Sequence, residues 1–369
     1  MTTSEAIDEV RNEIFQELLQ TQFACSALTR LSGGISNFVY RGKLTSTDKT
    51  IIIKHAKAYL ASNASFELDI TRCAHETTTL QALDSLPPYF LNNIMVKTPR
   101  LFCFDPKSCT QVLEDLPNSL DLKSFLISEA SDSLSKNFAL SIGHALGSWL
   151  RSLHNWSAEK EQATLAKKLG ENQSMQQIKF YANYTLLIES IENFPMLLEE
   201  SRSIFKKVHD LAALELKNQE QSEEYGIIHG DFWTGNVILE PDSLATKSTT
   251  DLFIVDWEMS HIGARALDLG QMIAELYQIK LFKDVESGIW IIEGFMKGYG
   301  PLSDTMALRT AIHVGVHLIC WGSRVPGWGC QELIEKVVKV GRDIIVRAWK
   351  KDKEWLEKGS LGCLFATRR

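Results

Sequence analysis

His229-Gly230-Asp231-Phe232-Trp233-Thr234-Gly235-Asn236 is a polar string set between two hydrophobic runs, Gly226–Ile228 and Val237–Leu239. Short apolar runs on both sides make it the turn of a strand–turn–strand element. Asp231 and Asn236 stand five residues apart, so one turn of chain brings a carboxylate and a carboxamide together. A turn held only by Asx side chains is the competing reading. The whole string between two strands is too specific for it. The next apolar run, Leu252–Val255, ends on Asp256-Trp257-Glu258, twenty residues past Asn236. A carboxylate at the end of a buried strand offers a hard oxygen ligand at a fixed place, and Glu258 offers a second.

Around this centre the chain divides in character. Ile7, Val10, Ile14 and Leu18 recur at helical steps and predict a leading helix over 4–20. Five β-type runs follow, near residues 27–31, 37–44, 50–54, 101–104 and 109–114, broken by one helix predicted over 65–86. After Pro117 helical periodicity dominates; Phe138, Ile142, Ala145, Trp149 and Leu153 mark one buried stripe. The expected architecture is α+β and bilobal: a small five-stranded antiparallel lobe over 1–116 and a larger, mainly helical lobe over 117–369.

The 369 residues carry a net charge of -7, with 44% hydrophobic and 23% charged residues. That composition excludes a disordered chain, and its acidity argues against a nucleic-acid binder. Residues 336–369 hold ten Lys/Arg against four Asp/Glu, leaving -13 for the rest. The basic segment reads as a solvated amphipathic helix. The acidic body leans toward a cationic partner. No apolar run is long enough to span a membrane. Seven cysteines without a CxxC pair fit reduced thiols and a cytoplasmic location.

Three further segments supply chemistry. In Leu31-Ser32-Gly33-Gly34-Ile35-Ser36-Asn37, two glycines and a small hydroxyl let backbone N–H groups approach phosphate oxygens. Gly33, Gly34, Ser36 and Asn37 are the candidate contacts. No G-x-x-x-x-G-K-[ST] string occurs, which excludes a P-loop. Ile51-Ile52-Ile53-Lys54 ends an apolar strand on a lysine, whose burial demands a partner; Glu76 on the next helix is the first choice and Glu67 the second. Val112-Leu113-Glu114-Asp115-Leu116 closes the last strand of the small lobe; it reads either as a plain strand-to-loop exit or as a hinge whose backbone at Glu114 and Leu116 could hydrogen-bond an adenine.

Asp231 and Asn236 have the spacing of the protein-kinase H-R-D-L-x-x-x-N loop, Lys54 that of the V-A-I-K lysine, and Asp256 the place of the D-F-G aspartate. In this order the elements resemble the aminoglycoside phosphotransferase / choline kinase superfamily over roughly residues 25–280. Finer features resemble fungal small-molecule kinases, including 4-hydroxytryptamine kinase, and relatives of methylthioribose kinase. Arg265-Ala266-Leu267-Asp268-Leu269-Gly270 also fits, with Asp268 steadying the catalytic loop.

The resemblance implies a protein-kinase-like fold and ATP-dependent phosphorylation of a small-molecule hydroxyl. Lys54 and Glu76 would then serve the phosphates, Asn236, Asp256 and Glu258 would hold Mg²⁺, and Asp231 would serve as base. A protein substrate is disfavoured, since only eleven residues separate Asp256 from Asp268 and no A-P-E follows. The alternative is a nucleotide-binding regulatory module of kinase descent, against which the complete residue set argues.

Two clusters remain outside this scheme. His313, His317 and Cys320 share a helix face, a spacing that suits zinc but reads better as a polar-edged core. The loop Cys320–Gly329 carries Trp321 and Trp328, which either pack against the large lobe or stack on a substrate.

Overall fold

A computed structural model describes residues 3–31, 34–217, 222–241, 249–325 and 327–365. They form two compact units, Met1–Ser85 with Thr98–Asn118, and Leu86–Lys97 with Ser119–Arg369.

In the first unit, helix α1 (Thr3–Leu18) precedes strands β1 (Cys25–Arg30), β2 (Phe38–Leu44) and β3 (Thr50–His55), then a small hairpin of β4 (Tyr59–Leu60) and β5 (Asn63–Glu67). Helix α2 covers Arg72–Leu83. The chain next forms β6 (Tyr89–Leu91) and β7 (Ile94–Lys97) of the second unit, and returns for β8 (Leu101–Asp105) and β9 (Thr110–Glu114). The five-stranded antiparallel sheet has the order β1-β2-β3-β9-β8.

Strand alternation divides the chemistry of this sheet. Phe38, Tyr40, Ile51, Ile53 and Val112 share one face and pack with Val10, Ile14 and Leu18 of α1. Each such large apolar side chain contributes on the order of 1.5–3 kcal/mol on burial. Lys54 and its cross-strand neighbour Gln111 therefore point to the other face, where Gln111 Nε2 donates to the Cys73 carbonyl (3.3 Å) and to Thr77 Oγ1 (2.9 Å) of α2.

The helix expected from residue 65 starts later. Residues 63–67 pair as β5, and Asp69 Oδ1 accepts from Thr71 N (2.9 Å) in a turn that restarts the chain as helix.

The second unit also holds a five-stranded sheet, β10 (Leu120–Asp121), β12 (Val237–Leu239), β13 (Thr250–Ile254), β7 and β6, and a ribbon of β11 (Tyr225–Ile228) with β14 (His261–Ala264). β13 pairs parallel with β7. That pairing draws 86–97 into this unit, where a single boundary near residue 117 had been expected.

Its helices used below are α3 (Leu122–Leu126), α4 (Lys136–Trp156), α5 (Ala163–Gly170), α6 (Gln173–Phe180), α7 (Leu186–Asn193), α8 (Arg202–Glu215), α9 (Ala266–Lys283), α10 (Ser287–Tyr299), α11 (Asp304–Cys320) and α12 (Gln331–Trp349). α4 buries Ile142, Ala145, Trp149 and Leu153 as its periodicity predicts. It packs closely on α10, where a Cβ at Gly147 would lie 2.0 Å from the Phe295 carbonyl oxygen. α12 buries Val337 and Val338 and exposes Lys336 and Lys339, the amphipathic reading of the basic segment. Among the described residues no helix is long and apolar enough to cross a membrane, and all seven cysteines are free.

Candidate active site

Asp231 lies in the turn between β11 and β12, and the residues around it explain why the turn holds one shape. Phe232 is fully buried and stacks on Trp149 (6.4 Å) and Phe295 (6.3 Å), anchoring the loop one residue past the carboxylate. Gly230 has φ of +81°, and a Cβ there would meet the Met259 carbonyl oxygen at 2.1 Å, so only glycine fits without strain.

Asp268, in the first turn of α9, clamps the same backbone. Its Oδ2 accepts from His229 N (2.8 Å) and its Oδ1 from Gly230 N (3.0 Å). His154 Nε2 donates to Oδ2 (3.3 Å), and Tyr299 OH pairs with His154 Nδ1 (2.9 Å). Burial pushes the Asp268 pKa up, but the His154 bond, nearby imidazoles and the His229 N–H outweigh it and leave it lowered. Burial likewise lowers His154, and it pushes Tyr299 up to about 12. The pair is an ionised carboxylate and a neutral imidazole, with Tyr299 the donor to Nδ1. His229 Nε2 donates to the Val255 carbonyl (3.0 Å), so its Nδ1 accepts from Asp231 N (3.2 Å).

Both oxygens of Asp231 are engaged. Asn236 Nδ2 donates to Oδ2 (3.1 Å) and to the Asp231 carbonyl (2.9 Å); Gln271 Nε2 donates to Oδ1 (2.7 Å). With its nitrogen so committed, Asn236 keeps its amide oxygen as an acceptor. β12 and β13 pair Val237 with Ile254, which sets Asn236 beside the end of the next strand. There Asp256 adopts φ of +68°, a left-handed conformation of about 1–3 kcal/mol cost for a non-glycine residue. Trp257, fully buried against Trp149 and His229, fixes the turn. Asp256 and the buried Glu258 bring carboxylate oxygens within 4.8 Å of each other. Carboxylate oxygens at this spacing are hard donors, the kind a Mg²⁺ ion accepts.

In the first unit Lys54 Nζ pairs with Glu76 Oε1 at 2.7 Å, both buried, while Glu67 is exposed on β5. Gly33 lies outside the described residues. Gly34 is exposed and Ser36 half-buried. Asn37 is buried with Oδ1 accepting from Arg72 Nη2 (3.0 Å), which also reaches the Ser36 carbonyl (3.3 Å); these bonds pin the loop to the start of α2. At the end of β9, Glu114 Oε2 accepts from Arg100 N (3.1 Å), and the Leu116 carbonyl accepts from Arg41 Nη2 (3.4 Å). Asp115 between them takes a bidentate pair from Arg41 (2.8 and 3.0 Å) and a bond from Thr50 Oγ1 (2.6 Å).

The remaining clusters separate. His313 Nδ1 meets Tyr184 OH (2.9 Å), His317 Nε2 meets Glu275 Oε1 (2.7 Å), and Cys320 Sγ donates to the Asn183 carbonyl (3.0 Å). Each is spent on a different partner, the polar-edged core reading. Trp328 is buried and stacks on Phe282 (5.3 Å), while Trp321 is partly exposed against His317 (6.0 Å). Lys123 Nζ lies 4.3 Å from the Trp328 ring centre, 5.1 Å from that of Trp233 and 3.3 Å from Glu275 Oε2.

Residues 27–288 match the sequence profile described as the phosphotransferase enzyme family. The chain belongs to that family. It is 32% identical to phosphotransferase FrzJ of a Cladobotryum species, over 99% of this chain and 98% of that one. With 4-hydroxytryptamine kinase of Psilocybe cyanescens the identity is 24%, over 88% of each. A solved aminoglycoside phosphotransferase, APH(3'')-Id of Streptomyces rimosus with ADP and streptomycin, superposes with a TM-score of 0.50. It is 15% identical and covers 85% of this chain and 99% of that one, a likeness of fold. The fold is kinase-like, as the motifs implied, and the family consists of phosphotransferases and kinases acting on small molecules.

Sequence reasoning missed Gln271 and Glu275. Both follow Asp268 on α9 at steps of three and four, so one helical stripe reaches the catalytic turn and Lys123. That spacing was the available signal.

Proposed function

We propose that the protein transfers the γ-phosphoryl group of ATP to a hydroxyl of a small cationic amine. The observation that carries this reading is the Asp231 carboxylate, held on both oxygens by Asn236 and Gln271 beside the Asp256–Glu258 pair.

Phosphoryl transfer is mostly positioning and charge neutralisation. Lys54, oriented by Glu76, contacts the phosphates, with the turn at Gly34 and Ser36 offering backbone N–H groups and the backbone at Glu114 and Leu116 the adenine contacts. Asn236, Asp256 and Glu258 would hold a Mg²⁺ ion, which would supply neutralisation of the charge that develops on the phosphates. Asp231 accepts a hydrogen bond from the acceptor hydroxyl and aims its oxygen at the γ-phosphorus. As the new O–P bond forms, the bond to the β-phosphate oxygen breaks, ADP leaves, and the hydroxyl proton passes to Asp231.

The acceptor class rests on charge. Residues 1–335 carry a net charge of -13, a field that favours a cationic acceptor over a neutral one. The test is ADP release with Mg-ATP across amino alcohols, amino sugars, hydroxyindole amines, thiosugars and neutral sugars. Turnover confined to the amines is expected; turnover of neutral sugars alone would overturn the acceptor class, and no turnover with any acceptor would overturn the transferase reading.

A further inference from the structure

Gln271, which holds Asp231, is itself backed by a buried lysine that the transfer chemistry above does not use. Lys179, at the end of α6, is 5% exposed, and its Nζ donates to Gln271 Oε1; Gln271, also 5% exposed, donates from Nε2 to Asp231 Oδ1 at 2.7 Å. An ammonium carries three donors and no acceptor, so it can bind only the oxygen end of the glutamine amide. That fixes the amide's orientation and leaves the NH₂ end facing the carboxylate. With Lys179 absent, Gln271 could turn its oxygen toward Asp231, and two acceptors would face each other.

Lys179 itself is held from two sides. Asn183 Nδ2 donates to its backbone carbonyl (2.8 Å), and residues 181–185 form a single π-helical turn after Phe180. Burial lowers the Lys179 pKa, and the negative field of Asp231, Asp268 and Glu275 opposes that only in part.

We propose that Lys179 and Gln271 are positioning residues for Asp231: the lysine orients the glutamine amide, and the glutamine holds the carboxylate in the rotamer that meets the acceptor hydroxyl. The proposal rests on the reading of Asp231 as the group that receives that hydroxyl. A misplacement of about 1 Å at a reacting group lowers a rate by about 100-fold, and that is the scale expected here.

Gln271→Glu is the discriminating variant. It is isosteric and keeps the Lys179 contact, but it replaces the donor to Asp231 by a carboxylate oxygen and so sets two like charges against each other at the 2.7 Å contact. Expected are a kcat lowered by about 10- to 100-fold with the KM for ATP within about twofold of wild type, and the same for Lys179→Met, measured with Mg-ATP and the amine that turns over fastest in the ADP-release screen, and again with water as acceptor. Thermal melting of each variant verifies the fold. A crystal structure of Lys179→Met, which needs no acceptor, is expected to show the 2.7 Å contact between Gln271 and Asp231 broken.

Wild-type kcat in Gln271→Glu, or that contact intact in Lys179→Met, would overturn the proposal. The parent reading fails separately: Asp231→Asn at wild-type rate would remove it whatever the two variants do.

Discussion

Asp268→Asn tests whether the catalytic turn is held from behind. The native carboxylate accepts from the His229 and Gly230 N–H groups, one on each oxygen, and from His154 Nε2. Asparagine keeps one acceptor and replaces the other by an NH₂ donor, so either orientation turns one backbone N–H toward another donor. At 1% exposure no water reaches the site. An orphaned buried N–H costs about 1–3 kcal/mol, and losing a bond to a charged acceptor brings the total to about 2–4 kcal/mol. At roughly 2.1 cal/mol/K of unfolding entropy per residue, 369 residues convert that to a fall in Tm of about 3–5 °C. Because the orphaned groups flank Asp231, kcat should also fall by about 10- to 100-fold. Differential scanning calorimetry and an ADP-release assay read the two effects. Asp251→Asn, which removes a carboxylate from the half-exposed pair with Lys97, should shift stability by no more than about 0.5 kcal/mol. If Asp268→Asn melted within about 1 °C of wild type and kept its kcat, the clamp would not exist.

Three other outcomes follow from particular groups. Lys54→Met removes the 2.7 Å partner of Glu76 and the proposed phosphate contact. With a charge-assisted bond worth about 1.5–3 kcal/mol, the KM for ATP should rise at least about tenfold in initial-rate measurements; an unchanged KM would reject Lys54 as a phosphate ligand. Gly230→Ala places a Cβ against the Met259 carbonyl at φ of +81°, and urea unfolding should show a loss of at least about 2 kcal/mol; a neutral result would mean the turn yields freely. Burial lowers His261 to about 4, while the unfolded chain protonates it near its ordinary 6.5. Its contribution is nil above pH 6.5, and stability falls by about 3 kcal/mol as pH drops from there to about 4. His261→Gln should flatten that part of the urea-midpoint profile, and parallel profiles for variant and wild type would contradict the assignment.

What was legible in the sequence was whatever a short segment decides alone. The Asp231-x₄-Asn236 turn, the Lys54 strand and the Asp256 strand end each follow from local periodicity plus one polar residue out of pattern, and each lies where that pattern put it. Glu76 was the first choice for Lys54 and pairs with it, while Glu67, read as part of the same helix, lies exposed on β5. Long-range pairing was not. The parallel register of β7 with β13 joins residues 156 apart in sequence, and nothing in Ile94–Lys97 alone announces it. Arg72 and Asp115 escaped notice for a related reason: they read as surface charges until Asn37 and Arg41 are seen to bury and pair them. Lys179 and Gln271 come from two helices and acquire their role only when both meet behind Asp231.

The central claim is that Asp231 receives the acceptor hydroxyl in an ATP-dependent transfer. Single-turnover kinetics of Asp231→Asn with Mg-ATP, using the best amine acceptor from the ADP-release screen, test it most directly. Asparagine is isosteric but cannot take the proton, and its NH₂ group replaces one of the two oxygens that accept from Asn236 Nδ2 and Gln271 Nε2. A rate lowered at least about 100-fold with nucleotide affinity within about twofold is the predicted result. Phosphoryl transfer at the wild-type rate would contradict it.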